Sequence, residues 1–258
     1  MAPTHVPDYI PRAQSIVAIE HTQTTAERDA LQQFASHCRR IEPTTTQTVT
    51  SSMVIDPTHM LRGKSQQDSS LQRLCEAYRQ TVMAVPHYED EYNEPLAENL
   101  AAEVGEELAT ALTSEQHLTP HLIQTLHHAV QQAAAERDAF LTDLDREAAA
   151  LNTAHATLTD ITQWLADRAV QPFANWSIDE RYATHDTLRT YKHQCDMLAA
   201  ERQEMLYAGQ ITVSRIETDL FTTYLYQSLD VTYPVLADLA AVGDLLEQAR
   251  HRVEQVLV

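Results

Sequence analysis

The stretch "PHLIQTLHHAVQQAAAERDAFLTDLDREAAALNTAHATLTDITQWLADRAVQ", Pro120 to Gln171, decides the fold. Leu122, Leu126, Ala129, Ala133, Arg137, Phe140, Leu144, Glu147, Leu151, Ala154, Leu158, Ile161 and Leu165 recur at steps of four and three, with one double-four stutter around Ala133. That spacing is one face of a continuous helix. No Pro or Gly interrupts His121 to Gln171; Pro120 suits a first turn and Pro172 marks the exit. Fifty residues of helix rise about 75 Å. An apolar edge that long cannot be buried by its own helix, so other helices must lie against it.

Two later segments carry matching stripes. Leu188, Tyr191, Cys195, Leu198, Arg202 and Met205 form one; Val235, Leu239, Val242, Leu246, Ala249, Val253 and Val256 form the other. Asn175-Trp176-Ser177 turns the chain back, with Ser177 and Glu180 spaced as a capping box. Gly209 is placed to end the second helix. Residues 211–229 are expected to be helical, with a break at Asp230–Pro234 before the last helix. At the other end, residues 12–41 predict one helix, with Ile19, Ala26, Leu31, Phe34, Cys38 and Ile41 among its apolar positions. Residues 42–69 predict a flexible Ser/Thr-rich loop that admits a short strand at Thr46–Ser51. Helix resumes at 70 with Leu71, Leu74, Tyr78 and Val82 on one face, and a further short helix is expected from Pro95 to Leu112.

Composition narrows the function classes. The 258 residues include only four Gly, and 37 acidic residues face 18 basic ones for a net charge of −19. Lys64 and Lys192 are the only lysines. This composition fits a hydrated carboxylate surface in a salt-rich cytosol, where the Debye length is about 3 Å at 1 M salt and long-range steering is weak. No basic stripe suits phosphates, so nucleic-acid binding is not expected. No run suits a membrane span or a signal peptide. Cys38, Cys75 and Cys195 are far apart and predict reduced thiols, in keeping with a cytoplasmic location. There is no GxSxG, GxGxxG or phosphate-cradling GKS/GKT loop, so no cofactor and no catalytic residue is expected.

The densest chemistry lies in "VMAVPHYEDEYNEP", Val82 to Pro95. His87, Glu91 and Glu94 would share a face if this segment were helical, and Glu89 and Glu91 if it were extended, which makes a hard-cation site conceivable with Tyr88 and Tyr92 behind it. The structural reading is stronger: an acidic linker between Pro86 and Pro95, with Asn93 as N-cap of the next helix. His117, His121, His127 and His128 invite a zinc reading, but Pro120 intervenes and no cysteine is near. His193 and Cys195 point to different sides of a helix, and Cys195 falls in the seam. Arg137 and Glu147 fall on inward positions of the long helix, where an interhelical ion pair can fix register.

"YRQTVMAVPHYEDEYNEPLAENLAAEVGEEL", with "AAERDAFLTDLDREAAAL" and "TYPVLADL", resembles a family of uncharacterised haloarchaeal proteins, a domain of unknown function. The resemblance spans about Ala26 to Leu257. It implies a halophilic cytosol and brings no activity, cofactor or site residue. The sequence therefore predicts an all-α protein in a single domain, an elongated antiparallel helical bundle or intramolecular coiled coil: 12–41, the loop 42–69, short helices over 70–113 around the acidic linker, and the long-helix bundle over 119–258. The expected function is a non-enzymatic interaction or scaffold protein, with a protein partner or self-association; the alternative is a metal- or small-ligand-binding regulator at His87–Glu94.

Overall fold

A computed structural model describes residues 8–42, 70–114, 118–169, 176–212 and 217–257, with side chains described outside 208–220 and 256–258. Every regular element among them is helical, and the fold is an all-α helical bundle. The elements are α1 (Tyr9–Cys38), α2 (70–81), a single 3-10 turn (Val82–Ala84), α3 (Tyr88–Glu91), α4 (Leu96–Val104), α5 (Glu106–Ser114), α6 (Pro120–Ala169), α7 (Ile178–Thr212), α8 (Glu217–Leu225) and α9 (Pro234–Leu257). No described helix is long and apolar enough to cross a membrane. The strand expected at Thr46–Ser51, and the loop around it, lie outside the described residues.

The long helix is continuous from Pro120 to Ala169. Thr119 caps it, its Oγ1 accepting the Leu122 N–H at 3.1 Å. The capping box of α7 also forms: Ser177 N–H donates to Glu180 Oε2 at 2.7 Å and Glu180 N–H to Ser177 Oγ at 3.3 Å. Several boundaries differ from the expectation: α1 ends at Cys38 rather than 41, and α8 at Leu225 rather than 229. α1 begins at Tyr9, because Pro11 occupies a first-turn position where a missing N–H costs nothing. α7 runs past Gly209 to Thr212, so that glycine is no cap. The helix expected from Pro95 to Leu112 is two helices, broken where Gly105 adopts a φ of 92°.

The chain divides into two compact units, residues 20–143 and residues 1–19 with 144–258. In the 20–143 unit the core joins Leu31 and Phe34 of α1, Leu74 and Tyr78 of α2, Leu100 of α4, and Leu126 and Val130 of α6. Here α1 runs antiparallel to α6: Arg28 meets Asp138, and Arg39 meets His127. The helices expected to sheathe all of α6 therefore do not cover its first half, which takes α1 and α2 instead. The reason is an inward row along α1 and the turn after it, of which the sequence reading named Leu31, Phe34, Cys38 and Ile41 but not the earlier members. Ile10, Ala13, Val17, Glu20, Thr24, Glu27, Leu31, Phe34, Cys38 and Ile41 step by three and four throughout, whereas Ile19 is 60 % exposed.

In the other unit Leu144, Leu151, Leu158 and Ile161 of α6 are buried, as are Leu188 and Cys195 of α7 and Leu239, Val242 and Leu246 of α9. α7 lies along α9. It runs antiparallel to α6, since Glu147 meets Arg202 while Trp164 packs edge-on against Tyr191 with ring centroids 5.3 Å apart. Asp238, which interrupts the apolar start of α9, caps α1: it accepts the Ile10 N–H at 2.8 Å and the Tyr9 N–H at 3.4 Å. Asp238→Ala removes both acceptors from a buried helix end and is expected to cost about 1–2 kcal/mol, read as a lowered denaturation midpoint.

Candidate functional site

Most of the unusual chemistry in residues 20–143 gathers around Glu27. Its place in the α1 stripe, four residues before Leu31, turns its carboxylate inward. Arg137 stands on the matching stripe of α6, and Glu103 follows Leu100 by three on α4. Arg137 donates through Nη2 to Glu103 Oε1 at 2.6 Å and through Nε to Glu27 Oε2 at 3.3 Å. The other Glu27 oxygen accepts from Tyr92 O–H at 2.7 Å and pairs with His87 Nε2 at 3.0 Å. The acidic linker is thereby fastened to α1 through one carboxylate.

The two carboxylates are pushed in opposite directions. Burial alone would raise Glu27, but hydrogen bonds from His87 and Tyr92 and the charge of Arg137 outweigh it and hold the carboxyl below its ordinary range. Burial raises Glu103, and Arg137 offsets this only in part while Glu27 and Glu136 add to it. Glu103 Oε2 is buried without a hydrogen-bond partner. Glu103 lines a small cleft with Glu27, Tyr88, Tyr92 and Asn99, with room for about one water. With both carboxylates ionised and His87 neutral, Arg137 balances only one of them, and a half-buried cluster carries one unmatched negative charge.

A second polar layer supports the linker. Tyr78 O–H donates to Asn99 Oδ1 at 2.7 Å, and Tyr88 O–H to the Glu94 carbonyl at 3.0 Å. Val85 is extended before Pro86, as a residue preceding proline should be. Asn93, expected as an N-cap, has a φ of 45° and instead closes the α3 turn, its N–H donating to the Tyr88 carbonyl at 2.9 Å. Asn is among the few residues that tolerate that left-handed geometry.

The residues singled out as cation ligands have separate partners. His87 faces Glu27, Glu91 accepts from Gln23 Nε2 at 3.2 Å, and Glu94 Oε2 accepts from Asn99 Nδ2 at 3.4 Å; Glu89 is exposed. α3 is a single turn, so His87, Glu91 and Glu94 do not share a helical face. Among the described residues no group of three or more His, Cys, Asp or Glu side chains is placed to hold a metal ion. His117 lies outside the described residues, His121 and His128 are exposed, and His127 accepts from Arg39 Nε at 2.8 Å. Cys195 is buried, which pushes its thiol up, and His193 is exposed.

Of the inward charges read from the sequence, Arg137 finds Glu27 and Glu103, and Glu147 finds Arg202 with two 2.7 Å bonds and Tyr226 with a third. Glu27 and Glu103 went unnoticed. Glu27 had a signal, the steps of four, three, four and three that join it to Leu31, Phe34, Cys38 and Ile41.

The chain belongs to the family described as Domain of unknown function (DUF7260), which matches residues 8–250. No curated protein and no solved structure matches it.

Proposed function

We propose that this member of the family is a non-enzymatic helical interaction or scaffold protein of a salt-rich cytosol. The observation that carries the reading is the outer face of α7. Ile178, Tyr182, Met197 and Tyr207 are each about half exposed or more. At about 100° per residue they fall within roughly a 100° arc, opposite Cys195 and Arg202. Isolated exposed apolar residues are ordinary, but several on one helical face provide anchors for docking.

The occupant that fits is a second copy of the chain. An antiparallel pairing of two α7 helices about an axis between Lys192 and His193 sets Ile178 opposite Tyr207 and Arg189 opposite Asp196. Such a contact pairs unlike charges across a two-fold axis, as an isologous interface requires. Light scattering in molar KCl is expected to show a dimer. Tyr182→Ser with Tyr207→Ser should shift it to monomer, since a buried anchor of this kind contributes about 2 kcal/mol. A wild-type chain that is monomeric and retains no partner in pull-down with mass spectrometry overturns the reading.

A second reading, a cation- or small-ligand-binding regulator at His87, Glu91 and Glu94, draws on the unpartnered Glu103 oxygen in the adjoining cleft. Metal analysis of protein purified without chelator decides it. Sub-stoichiometric metal, with melting unchanged by Mn²⁺, Zn²⁺ or Ca²⁺, removes it.

A further inference from the structure

We propose that Glu103 is a proton-operated latch for the segment 82–95: uptake of one proton there cancels the cluster's unmatched charge, commits Arg137 to Glu27, and clamps the segment onto α1. The argument starts from wiring. The segment's polar ties to α1 converge on the Glu27 carboxylate, through His87 and Tyr92, with Gln23 and Glu91 as an exposed addition, beside an apolar contact of Val85 and Tyr88 with Ala30. Glu27 in turn depends on Arg137, which it shares with Glu103. Whatever changes the claim of Glu103 on that guanidinium changes how firmly Glu27 is held.

Glu103 is built to take the proton. Its Oε1 has the Arg137 bond, while its Oε2 is buried and has no hydrogen-bond partner, and the residue lines the small cleft. The groups facing it are Arg137 and Glu136 from α6, Glu27 from α1, Tyr78 from α2, and Tyr92 from the segment itself. Only one of these is a cation. A second carboxylate charge in such surroundings meets desolvation and repulsion, and a neutral carboxyl meets neither. The raised titration range of Glu103 and the lowered one of Glu27 agree with this division of roles.

The sign follows from linkage. A carboxyl whose folded titration point lies above its open-chain value favours the closed state below the open-chain value, and that contribution is lost as pH rises through the folded one. The lowered Glu27 acts the other way and releases the segment only in stronger acid. The segment is therefore held most firmly in weak acid and loosens towards neutrality and above.

Hydrogen exchange at the Tyr92 and Asn93 amides, which both donate to the Tyr88 carbonyl, reads the latch directly. After correction for intrinsic rates, the opening constant is expected to rise with pH from the ordinary glutamate value of 4.5. The total rise should be about tenfold for each unit by which the folded titration point of Glu103 exceeds the open-chain one. Glu103→Gln keeps an acceptor for Arg137 and should flatten the profile while leaving the amides protected. A carbon-13 titration of the Glu103 carboxyl provides a second readout on the unmodified protein. The proposal is overturned by a flat wild-type profile, by an unchanged slope in Glu103→Gln, or by a carboxyl midpoint at or below 4.5.

Discussion

Glu147→Ala is expected to cost the unit that contains it about 3–5 kcal/mol, the largest single effect of any charged side chain among the described residues. Glu147 and Arg202 are 5 % and 4 % exposed, and Tyr226 is 1 % exposed. The carboxylate binds both terminal nitrogens of Arg202 at 2.7 Å and accepts the Tyr226 O–H on the same oxygen as one of them. Removing it strands a buried guanidinium whose Nε already lacks a partner, together with a buried hydroxyl. The cost reflects what is left behind more than the strength of the pair. Glu147→Leu combined with Arg202→Met should accordingly recover most of the loss, because replacing both members of a buried ion pair by apolar groups is often neutral. Tyr226→Phe leaves the ion pair intact and is expected to cost about 1–2 kcal/mol. Denaturant unfolding of the three variants and the wild type ranks them. Equal losses in the single and double charge variants would show that the pair itself, rather than the stranded arginine, carries the stability.

Phe34→Ala should be as damaging to the 20–143 unit, about 3–5 kcal/mol. Phe34 is 1 % exposed and Tyr78 is fully buried, their rings meeting edge-on with centroids 5.0 Å apart and planes at 87°. Truncation opens a cavity at the point where α1, α2 and α6 meet, and it also removes the wall that steers the Tyr78 hydroxyl to Asn99. Phe34→Leu keeps most of the volume and loses chiefly the edge-to-face term, about 0.5–1.5 kcal/mol. Unfolding monitored by near-ultraviolet dichroism separates the two. A loss below about 1 kcal/mol for the alanine variant would mean that the neighbouring helices collapse into the space.

What the sequence made legible follows from how far each signal reaches. α6 was readable because its apolar stripe is long and Pro-free, so the 3–4 step repeats enough times to exclude a strand. α1 was readable as a helix, and the buried positions of its second half were named, but those of its first half were not. Glu20, Thr24 and Glu27 occupy the middle of its inward stripe, and polar residues there made Ile19 and Ala26 look like the anchors. The same effect hid half of the candidate site. Arg137 and Glu147 stood out because each interrupts an otherwise apolar row. Glu27 hid in a row already mixed, and Glu103 in a short helix whose break at Gly105 was not anticipated. Pairing Glu27 with Arg137 joins positions 110 apart, and pairing Glu147 with Arg202 joins positions 55 apart. Periodicity shows which way a side chain faces but carries nothing about what waits on the other side. His87, Glu91 and Glu94 illustrate the converse limit, since a helical spacing on paper needs more than the single turn that Tyr88–Glu91 supplies.

The bond from Asp238 to the start of α1 has a consequence for biosynthesis. One compact unit is written as an insert within the other, so its residues, 20–143, have all left the ribosome while the α9 acceptor for Tyr9 and Ile10 is still untranslated. At about 5–20 residues per second that delay lasts several seconds or more. α1 must wait with its leading amides solvated until Asp238 has been translated, while the nested unit is free to fold. A later segment thus closes an earlier one, and a product stalled before Asp238 leaves α1 uncapped at its first turn.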